Sequence, residues 1–357
     1  MVTGVGGGVG QSIIKGLRLA ERQSADIDYR LVGTDADSMA AGLYRADVGY
    51  RVPYANEPEY IDRLVEIATT EDVDLLIPGH DAELRPLAEA KGTLEDEGEM
   101  HVLVSATESV EIGLDKWQTH QFLSDHGFLT PRTALATEAD RLVEEVGFPL
   151  VVKPRTGSAS QGLHVITDTD ELKTALERSS DPIVQEYLVP DDWEDDPSKA
   201  DLKRQIDEYS VEIIVDSAGD IVSSLANWRK MVDGVPSVAR IEPYDEVRSA
   251  AEAVIDELDI LGPANLQARV TDQGVTFFEL NTRFTGSTAV RCAAGFNGPH
   301  TIVRNVVLGE PLTADDLQFE ELVELRYKDE IYVTPADFDR MVREGRVENG
   351  GWGYDYF

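Results

Sequence analysis

The residues best suited to chemistry form a short motif late in the sequence, E-L-N-T-R from Glu279 to Arg283. Alternate residues of a β-strand point to one face, so Glu279, Asn281 and Arg283 would present oxygens and a cation together. Gln267, on the preceding predicted strand, would face them across a hairpin. One carboxylate with two amides suits Mg²⁺, which takes few protein ligands and keeps water or substrate oxygens. A solvated strand face with incidental polar residues is the alternative for the motif alone.

Two lysines and a glycine-rich loop form a second group. Lys153 ends an apolar predicted strand, and Lys116 begins a predicted helix, in a sequence with only nine lysines. The loop G-S-A-S-Q-G, Gly157–Gly162, joins two predicted strands and could lay backbone N–H groups over a phosphate, which lysine binds as a point charge. The alternatives are an ordinary hairpin loop and a lysine that extends from a strand end to solvent.

A further glycine-rich turn, T-G-V-G-G-G-V-G-Q, occupies Thr3–Gln11. Its spacing is typical of a turn that seats a dinucleotide on a helix N-terminus, and Asp35 or Asp37 would then bind the ribose. This pattern favours a second hypothesis, an NAD(P)-dependent short-chain dehydrogenase or epimerase. That class typically carries Y-x-x-x-K, and no lysine here has a tyrosine four residues before it.

Composition excludes several classes of protein. The 357 residues carry a formal net charge of −36, which would repel nucleic acid and anionic membranes. No apolar run is long enough to span a bilayer, no export signal is evident, and the single cysteine fits a reducing cytoplasm. The acidic balance resembles that of halophilic proteins, in which salt screens self-repulsion.

The predicted strands and helices that must position these residues follow a different pattern before and after Asp115. Before it, strands and helices alternate, as in an open parallel sheet; the strands are predicted at Tyr29–Gly33, Asp74–Pro78 and Met100–Ser105, and the helices at Gln11–Arg22, Glu57–Thr69 and Leu84–Glu97. After it, antiparallel strands dominate; they are predicted at Pro149–Pro154, Leu163–Thr167, Tyr209–Asp216, Ile221–Trp228, Ala264–Thr271 and Val275–Asn281. Predicted helices cover Lys116–His126, Glu138–Val146, Asp245–Leu258, Pro299–Leu308 and Pro335–Glu344, and Pro190–Asp207 reads as a surface excursion.

Seven motifs occur in an order and spacing that resemble an ATP-grasp enzyme, specifically the large subunit of carbamoyl-phosphate synthetase and its single-unit relatives. They are Lys116, V-V-K-P (Val151–Pro154), G-S-A-S-Q-G, Q-E-Y-L (Gln185–Leu188), E-Y-S-V-E (Glu208–Glu212), N-L-Q (Asn265–Gln267) and F-F-E-L-N-T-R-F (Phe277–Phe284). The resemblance implies an α/β chain with a Rossmann-like (pre-ATP-grasp) domain at 1–112, followed by a two-lobed α+β ATP-grasp fold. Its N-lobe would span 113–182, its C-lobe 183–325, and a C-terminal extension 326–357.

The resemblance also implies roles for individual residues. The phosphates of ATP would meet Lys116, Lys153 and the mobile loop with Gly157, Ser158, Ser160 and Gly162; the adenine would meet Glu186 and Leu188, and the ribose Glu208. Mg²⁺, with Mn²⁺ as a second option, would be held by Gln267, Glu279 and Asn281, while Arg283 would stabilise the transferring phosphoryl group. Lys230, Arg291 and Arg229 are candidates for holding an anionic substrate; Arg229 and Lys230 could equally pair with surface acids.

The implied activity is ATP- and Mg²⁺-dependent ligation of a small-molecule carboxylate to an amine, through an acyl phosphate, with release of ADP and phosphate. Thr282 replaces the family's usual proline, but that residue is not a ligand. The chain has one grasp unit where the full large subunit has two, which argues against the complete carbamoyl-phosphate cycle. A non-catalytic ATP sensor is a third hypothesis, and a homodimer is a further expectation.

Overall fold

The N-terminal part of the chain is built around a mainly parallel sheet. The structure is a computed structural model, and it describes residues 1–23, 27–157, 161–189, 206–232, 235–327 and 330–348. The strands of this part are β1 (Val32–Asp35), β2 (Val48–Arg51), β3 (Leu75–Leu76) and β4 (His101–Val102). β1 pairs with β2 and β3 with β4, both in parallel, and Val2 joins the two pairs through parallel bridges to Gly33 and Ile77. The predicted Rossmann-like fold of this part is therefore confirmed, and its bounds, 1–112, stay a prediction.

Five helices flank this sheet: α1 (Gly8–Gln23), α2 (Tyr60–Glu71), α3 (Asp81–Glu89), α4 (Lys91–Gly98) and α5 (Thr107–Leu114). In α1 the buried residues include Ile13, Ile14 and Leu17, which recur at the helical period and face the core. The glycine turn before α1 is tightly packed, because a Cβ on Gly10 would lie 2.7 Å from the carbonyl oxygen of Gly4. Glycine is needed there to fit the chain, whatever the turn binds.

A small antiparallel sheet follows. Its elements are α6 (Lys116–Asp125), β5 (Thr133–Leu135), α7 (Ala139–Val146), β6 (Leu150–Pro154), β7 (His164–Ile166), α8 (Thr169–Arg178) and β8 (Pro182–Glu186), with strand order β5-β8-β6-β7. Leu150 and Val152 of β6 are fully buried against α7 and α8. Lys153 follows them on the same short strand, so a packed element holds it in place.

The largest sheet is antiparallel, with strand order β13-β12-β9-β10-β11-β14. Its strands are β9 (Ile206–Val215), β10 (Ile221–Val232), β11 (Val235–Ile241), β12 (Gly262–Thr271), β13 (Gly274–Asn281) and β14 (Leu322–Leu325). The accompanying helices are α9 (Asp245–Ile255), α10 (Thr288–Ala293) and α11 (Gly298–Val306). After α12 (Pro335–Glu344), β15 (Arg346–Glu348) pairs antiparallel with β2, so the chain returns to its first sheet.

Several elements differ from the sequence-based predictions. The single helix predicted at Leu84–Glu97 is two helices, α3 and α4, which meet at Ala90, where the backbone leaves helical geometry (φ −99°, ψ 9°). β10 continues to Val232, four residues beyond the predicted end, so Arg229 and Lys230 lie on a strand. β2, β5, β8, β11, β14, β15, α5, α8 and α10 were not predicted. Most of the predicted excursion Pro190–Asp207 lies outside the described residues, and β9 begins at Ile206.

Candidate active site

A cavity of about 400 Å³ lies where the two antiparallel sheets and the first sheet meet. Its walls come from all three parts of the chain. The first sheet contributes Gly7, Gly8, Val9 and Gly79–Asp81; the small sheet contributes Lys153, Gly157 and Gln185–Leu188; and the large sheet contributes Glu208, Arg229, Gln267, Arg269, Phe278 and Glu279. Val151, Leu163, Val165 and Tyr187 pack together and form an apolar end of the cavity, while the Asp81–Arg283 pair and Lys116 form a charged end at the first sheet.

Glu279 of the E-L-N motif lines the cavity together with Gln267, whereas Asn281 lies beside Glu279 but is not part of the lining. Gln267 on β12 is paired directly with Glu279 on β13, and Asn265 with Asn281. The amide Nε2 of Gln267 donates to Glu279 Oε1 at 2.9 Å, and Asn281 Nδ2 donates to the same oxygen at 3.2 Å. The other carboxylate oxygen, Oε2, has no hydrogen-bond partner in the described part of the chain.

The pairing of β12 with β13 shifts by one residue at Phe278. Gln267 opposes Glu279 while Ala268 opposes Phe277, so Phe278 has no partner in the register. Consecutive strand residues normally face opposite sides. The extra residue lets both Phe278 and Glu279 line the cavity.

Lys153 is a buried cation without a protein anion bound to it. Its side chain lies against the ring of Phe278, with Nζ 5.8 Å from the ring centroid, and only 6% of the residue is exposed. Among the described residues it has no hydrogen bond and no ion pair. Burial lowers the pKa of the Lys153 ammonium to about 8, with Lys116 adding to the shift and Glu279 opposing it. A buried ammonium that faces a cavity without a partner is suited to an anionic ligand.

Lys116 lies at the same end of the cavity. It is the first residue of α6, whose N-cap is Asp115, and its Nζ donates to the carbonyl oxygen of Gly157 at 2.7 Å. Gly157 and Gln161 line the cavity on either side of the loop segment. Ser158 and Ser160 lie outside the described residues, and Gly162, with φ +72°, is close to the cavity lining but not part of it.

The segment after β8 forms the far wall. Glu186 and Leu188 both line the cavity, and within the described residues the Leu188 N–H has no partner. The Leu188 carbonyl accepts a hydrogen bond from Arg269 Nη1. The guanidinium of Arg269 stacks between Tyr187 and Phe278, at 5.0 and 5.9 Å from their ring centroids. This wall combines an apolar surface with backbone groups, an arrangement suited to a planar base.

Glu208 lines the cavity opposite this segment, but one of its oxygens is already used. Arg229 donates to Glu208 Oε1 from both Nε and Nη2, at 2.8 and 2.5 Å, and both side chains are buried. Arg229 also donates to Ser287 Oγ at 3.3 Å. The free oxygen of Glu208 is the one available to a ligand, and Arg229 fixes its orientation.

Arg283 is held by a carboxylate from the first sheet's domain. Its Nε donates to Asp81 Oδ1 and its Nη2 to Asp81 Oδ2, each at 2.8 Å, and its Nη1 donates to the Phe284 carbonyl at 2.9 Å. Although burial raises the pKa of Asp81, the Arg283 guanidinium outweighs it, with Lys116 contributing, and the pKa is below its usual value. Both Arg283 and Asp81 line the cavity.

Two predicted substrate-binding residues do not reach the cavity. Arg291 is completely buried and bound to Glu212 and Ser210, so it is part of the core and cannot touch a substrate from there. Lys230 is absent from the lining, because it follows the cavity-lining Arg229 on β10 and successive strand residues face opposite sides. The structure therefore corrects both assignments, and Arg229 is the member of that group that lines the cavity.

The glycine turn at the chain start lines the cavity, but not as a dinucleotide site. Asp35 Oδ2 accepts from the Gly6 N–H at 2.6 Å, and Asp35 Oδ1 accepts from the Asp37 N–H at 2.9 Å. The carboxylate that a dehydrogenase would use on a ribose is thus engaged with the turn itself. This geometry argues against the dehydrogenase hypothesis.

Among the Asp, Glu, Lys and Arg side chains that line the cavity, sequence reasoning missed three, Asp81, Arg269 and Arg326. A signal existed for the first of them. Gly79–Asp81 directly follow the predicted strand Asp74–Pro78, and ligands of open α/β sheets bind outside the carboxyl ends of strands. Arg326 comes from the segment after β14, and it donates to the Gly286 carbonyl at 2.9 Å.

The donor set fits Mg²⁺. Glu279 supplies one carboxylate oxygen that is free of hydrogen bonds, and the amides of Gln267 and Asn281 lie within hydrogen-bond distance of the same carboxylate. Rotating either amide by 180° presents its oxygen, since amide orientation is assigned from the surrounding hydrogen bonds. The described residues hold no group of three or more His, Cys, Asp and Glu side chains arranged for a metal, so a softer, protein-enclosed metal site is not present there.

Three sequence-family profiles match successive parts of the chain. The family described as "PylC-like, N-terminal domain" matches residues 8–103, "ATP-grasp domain" matches 114–192, and "ATP-grasp in the biosynthetic pathway with Ter operon" matches 205–330. Within the described residues no helix is both long and apolar enough to cross a membrane.

Curated relatives include carbamoyl phosphate synthase large chains. The protein of Rubrobacter xylanophilus is 28% identical over 263 residues, covering 67% of this chain and 24% of the relative. That of Pyrococcus furiosus is 21% identical over 302 residues, covering 79% of this chain and 26% of the relative. The chain therefore spans about a quarter of the length of these relatives.

Similar solved structures share the fold across most of the chain. N5-carboxyaminoimidazole synthetase from Staphylococcus aureus has a TM-score of 0.66 at 14% identity, covering 96% of this chain and 84% of that one. The biotin carboxylase domain of 2-oxoglutarate carboxylase from Hydrogenobacter thermophilus has a TM-score of 0.65 at 17% identity, covering 91% and 73%. L-amino acid ligase from Bacillus licheniformis has a TM-score of 0.63 at 16% identity, covering 88% and 75%.

Proposed function

This chain belongs to the ATP-grasp superfamily, and we propose that it is an ATP- and Mg²⁺-dependent ligase that joins a small-molecule carboxylate to an amine. The observation that carries the proposal is Lys153, a buried ammonium that faces the cavity without an anionic partner in the described residues. Lys116 and Glu279 share the cavity with it, so cations for phosphates and a carboxylate for a metal occur together. Positioning and charge neutralisation are what phosphoryl transfer needs from a protein.

The two ends of the cavity bind different parts of the ATP molecule. The apolar end, with Leu188 and the stacked Arg269, accepts the base, and the free oxygen of Glu208 is available to the ribose hydroxyls. Lys116 and Lys153 neutralise the phosphate oxygens. Glu279, Gln267 and Asn281 would hold Mg²⁺, or Mn²⁺ in its place, and the metal's chemistry when bound is to neutralise charge on the phosphates.

The proposed reaction has two steps. A carboxylate oxygen of the substrate attacks the γ-phosphorus of ATP, the bond from that phosphorus to the β–γ bridging oxygen breaks, and ADP leaves. Arg283 would stabilise the charge that develops on the transferring group. The amine then attacks the carbonyl carbon of the acyl phosphate, phosphate leaves, the amine loses a proton, and a C–N bond remains.

The charged end of the cavity indicates where the substrate binds. Gly7, Gly8 and Val9 at the start of α1 line it together with His80 and Arg326. The α1 N-terminus offers partial positive charge, and Arg326, which also pairs with Glu324, adds a guanidinium, so an anionic carboxylate is the chemistry that this end favours. Among structural neighbours, the biotin carboxylase domain was solved with MgADP and a bicarbonate anion, and another is named as an L-amino acid ligase.

The proposal also covers the salt concentration, the cellular location and the oligomeric state of the enzyme. A net charge of −36 favours activity at high salt, where self-repulsion is screened. A cytoplasmic location and a homodimer remain proposals; gel filtration with light scattering at high salt would give the oligomeric state.

The test is release of ADP from Mg²⁺-ATP across a panel of carboxylates and amines, in low and high salt. A carboxylate- and amine-dependent release is expected, and it should be lost in Glu279→Ala. Glu242→Ala is the matched control, because Glu242 is in the same part of the chain but pairs with Arg240 and does not line the cavity. Equal release from Glu279→Ala and wild type would remove the metal assignment.

A thermal-shift series separates this proposal from the other hypotheses. Stabilisation by Mg²⁺-ATP and none by NAD(H) is expected. The reverse result would favour a dehydrogenase. Stabilisation by Mg²⁺-ATP without ADP release for any pair in the panel would favour a non-catalytic ATP sensor.

A further inference from the structure

The guanidinium of Arg283 has two edges that can bind a carboxylate or phosphate with parallel N–H groups. One edge is formed by Nε and Nη2, and the other, terminal edge by Nη1 and Nη2. Asp81 takes the first edge with both of its oxygens, at 2.8 Å each. The Phe284 carbonyl takes one N–H of Nη1 at 2.9 Å.

Two N–H groups of the Arg283 guanidinium have no acceptor in the described part of the chain. Of the five N–H groups of Arg283, Asp81 uses two and Phe284 uses one, and no further hydrogen bond from this side chain occurs in the described part of the chain. The two that remain are one on Nη1 and one on Nη2. The Nη2 hydrogen lies on the terminal edge, and the Nη1 hydrogen completes that edge when the Phe284 carbonyl accepts the other Nη1 hydrogen, the one that points back toward Cδ; Arg283 lines the cavity.

Asp81 is itself well fixed. It is the first residue of α3, directly after His80, whose ring nitrogen caps the helix by accepting from the Ala82 N–H at 3.1 Å. Only 18% of its side chain is exposed, against 7% for Arg283. Lys116 contributes to its electrostatic surroundings, so the carboxylate lies close to two of the cations proposed for phosphate binding.

We propose that Asp81 is a positioning residue, which holds one edge of Arg283 so that the other edge meets an oxygen pair of the transferring phosphoryl group. The inference rests on the proposed function for the identity of the oxyanion. Without Asp81 the arginine keeps its charge but loses its fixed orientation, and an oriented fork binds an oxyanion better than a mobile one.

The competing explanation is an ion pair that only joins two parts of the fold. Such a pair would affect the free energy of unfolding and would not distinguish ATP from ADP. The γ-phosphoryl group is the difference between those two nucleotides, so the ratio of their affinities reports on Arg283 without any turnover.

The experiment compares wild type, Asp81→Asn, Arg283→Lys, Arg283→Ala and the double variant Asp81→Asn/Arg283→Ala. Glu111→Gln is the matched control, because Glu111 also takes the Nε and Nη2 edge of an arginine, Arg85, but outside the cavity. Calorimetry gives the affinities for Mg²⁺-ATP and Mg²⁺-ADP, and thermal unfolding in the absence of nucleotide shows which variants are folded.

Asp81→Asn should lower the preference for Mg²⁺-ATP over Mg²⁺-ADP by about tenfold, as expected for loss of a charge-assisted contact. In the Arg283→Ala background it should lower that preference no further, because there is no arginine left to orient. Glu111→Gln should leave the preference unchanged. Arg283→Lys, which keeps a charge but has no second edge, should resemble Asp81→Asn.

An unchanged preference in Asp81→Asn would overturn the inference, and so would an equal loss from Asp81→Asn in both backgrounds. If the single variant does not fold, Arg283→Lys decides: a wild-type preference in that variant would show that the orientation of a fork is not used. Failure of ADP release in wild type would count against the proposed ligase function alone, since the affinity ratio needs no reaction. Equal affinity of wild type for the two nucleotides would overturn the Asp81 inference.

Discussion

Two arginine–carboxylate pairs in this protein share their chemistry but differ in what they leave free. Arg283 pairs with Asp81 on the cavity wall, and Arg291 pairs with Glu212 in the core. The Nη atoms of Arg291 make four hydrogen bonds, to Glu212 Oε2, Thr285 Oγ1 and the Oγ and carbonyl of Ser210, and its side chain has no exposed surface. Arg283 keeps one edge for a ligand.

The difference shows that burial and charge do not by themselves mark a functional arginine. Burial raises the pKa of the Glu212 carboxyl group, and the Arg291 guanidinium opposes that shift. The two charges of this pair therefore compensate each other. A buried pair of this kind contributes little net stability, yet breaking it is costly because one charge stays behind. Core and cavity charges should therefore respond to mutation in opposite ways.

The largest effect is expected in the core. Arg291→Met should lower the free energy of unfolding by about 3–5 kcal/mol, because Glu212 is left buried without a cation. Denaturant unfolding at fixed salt measures this, and the fraction that stays folded should bind Mg²⁺-ATP normally. A loss below about 1 kcal/mol would show that water or rearrangement replaces the arginine.

At the cavity, replacing an arginine should affect catalysis more than stability. Arg283→Met should lower kcat for ADP release by about 10²–10³-fold, the usual cost of removing one preorganised donor from a developing oxyanion. Its free energy of unfolding should fall by less than that of Arg291→Met, because 18% of the Asp81 side chain is exposed and water can reach the carboxylate, whereas Glu212 is fully buried. A variant that unfolds like Arg291→Met but keeps its kcat would reverse the contrast.

A third prediction concerns Glu83, a core carboxyl group near the first glycine turn. It accepts from Thr3 Oγ1 at 2.6 Å and from the Tyr60 hydroxyl at 3.1 Å, and burial raises its pKa to about 7. The unfolded chain loses this proton near 4.5, so between those pH values the folded state binds more protons. The free energy of unfolding should therefore fall by about 1.4 kcal/mol per pH unit as the pH rises, and level off above about 7.

Glu83→Gln should remove this decline. Relative to wild type, the variant should gain about 2 kcal/mol in free energy of unfolding between pH 5 and pH 8. Glu89→Gln, an exposed residue of the same helix, is the control and should leave the pH profile unchanged. Parallel profiles for wild type and Glu83→Gln would show that Glu83 is ionised in the folded protein at pH 5.

The smallest expected effect is the pH dependence of nucleotide affinity. The pKa of Lys153 is about 8 and only the ammonium form attracts phosphate, so the affinity for Mg²⁺-ATP should fall by up to about tenfold per pH unit above 8. Lys153→Arg keeps its charge at these pH values, so its affinity should be flat over that range whatever its absolute value. Calorimetry between pH 7 and 9.5 decides, and the same slope in both proteins would assign the titration to another group.

The parts of the site that the sequence could predict are those built from neighbouring residues. Gln267, Glu279 and Asn281 lie on one hairpin, so the strand period and a two-residue turn were enough to bring them together. The role of Asp81 could not be predicted from local pattern, because its partner is 202 residues away in the sequence. The packing of α3 on α5, and of α5 on β13, brings these residues together.

Errors in the fold have similar causes. The sequence predicts that β10 ends at Trp228, because Arg229 and Lys230 resemble surface residues. In the structure the strand continues, because the neighbouring Glu208 is a buried partner for Arg229. β2 was missed because V-G-Y-R is only four residues long and contains a glycine, which weakens any strand pattern. In both places long-range contacts outweighed the local preference of the residues.

The unpaired position at Phe278 has a consequence for how this protein can vary. Phe278 and Glu279 are consecutive residues of β13, yet both line the cavity, because the register with β12 shifts at Phe278. Deleting Phe278, the one residue between Phe277 and Glu279, would leave either the metal motif or the aromatic wall correctly placed, but not both. Insertions and deletions should therefore be tolerated at the Asp272–Gln273 hairpin tip and rejected five residues later, although both sites lie on one short hairpin.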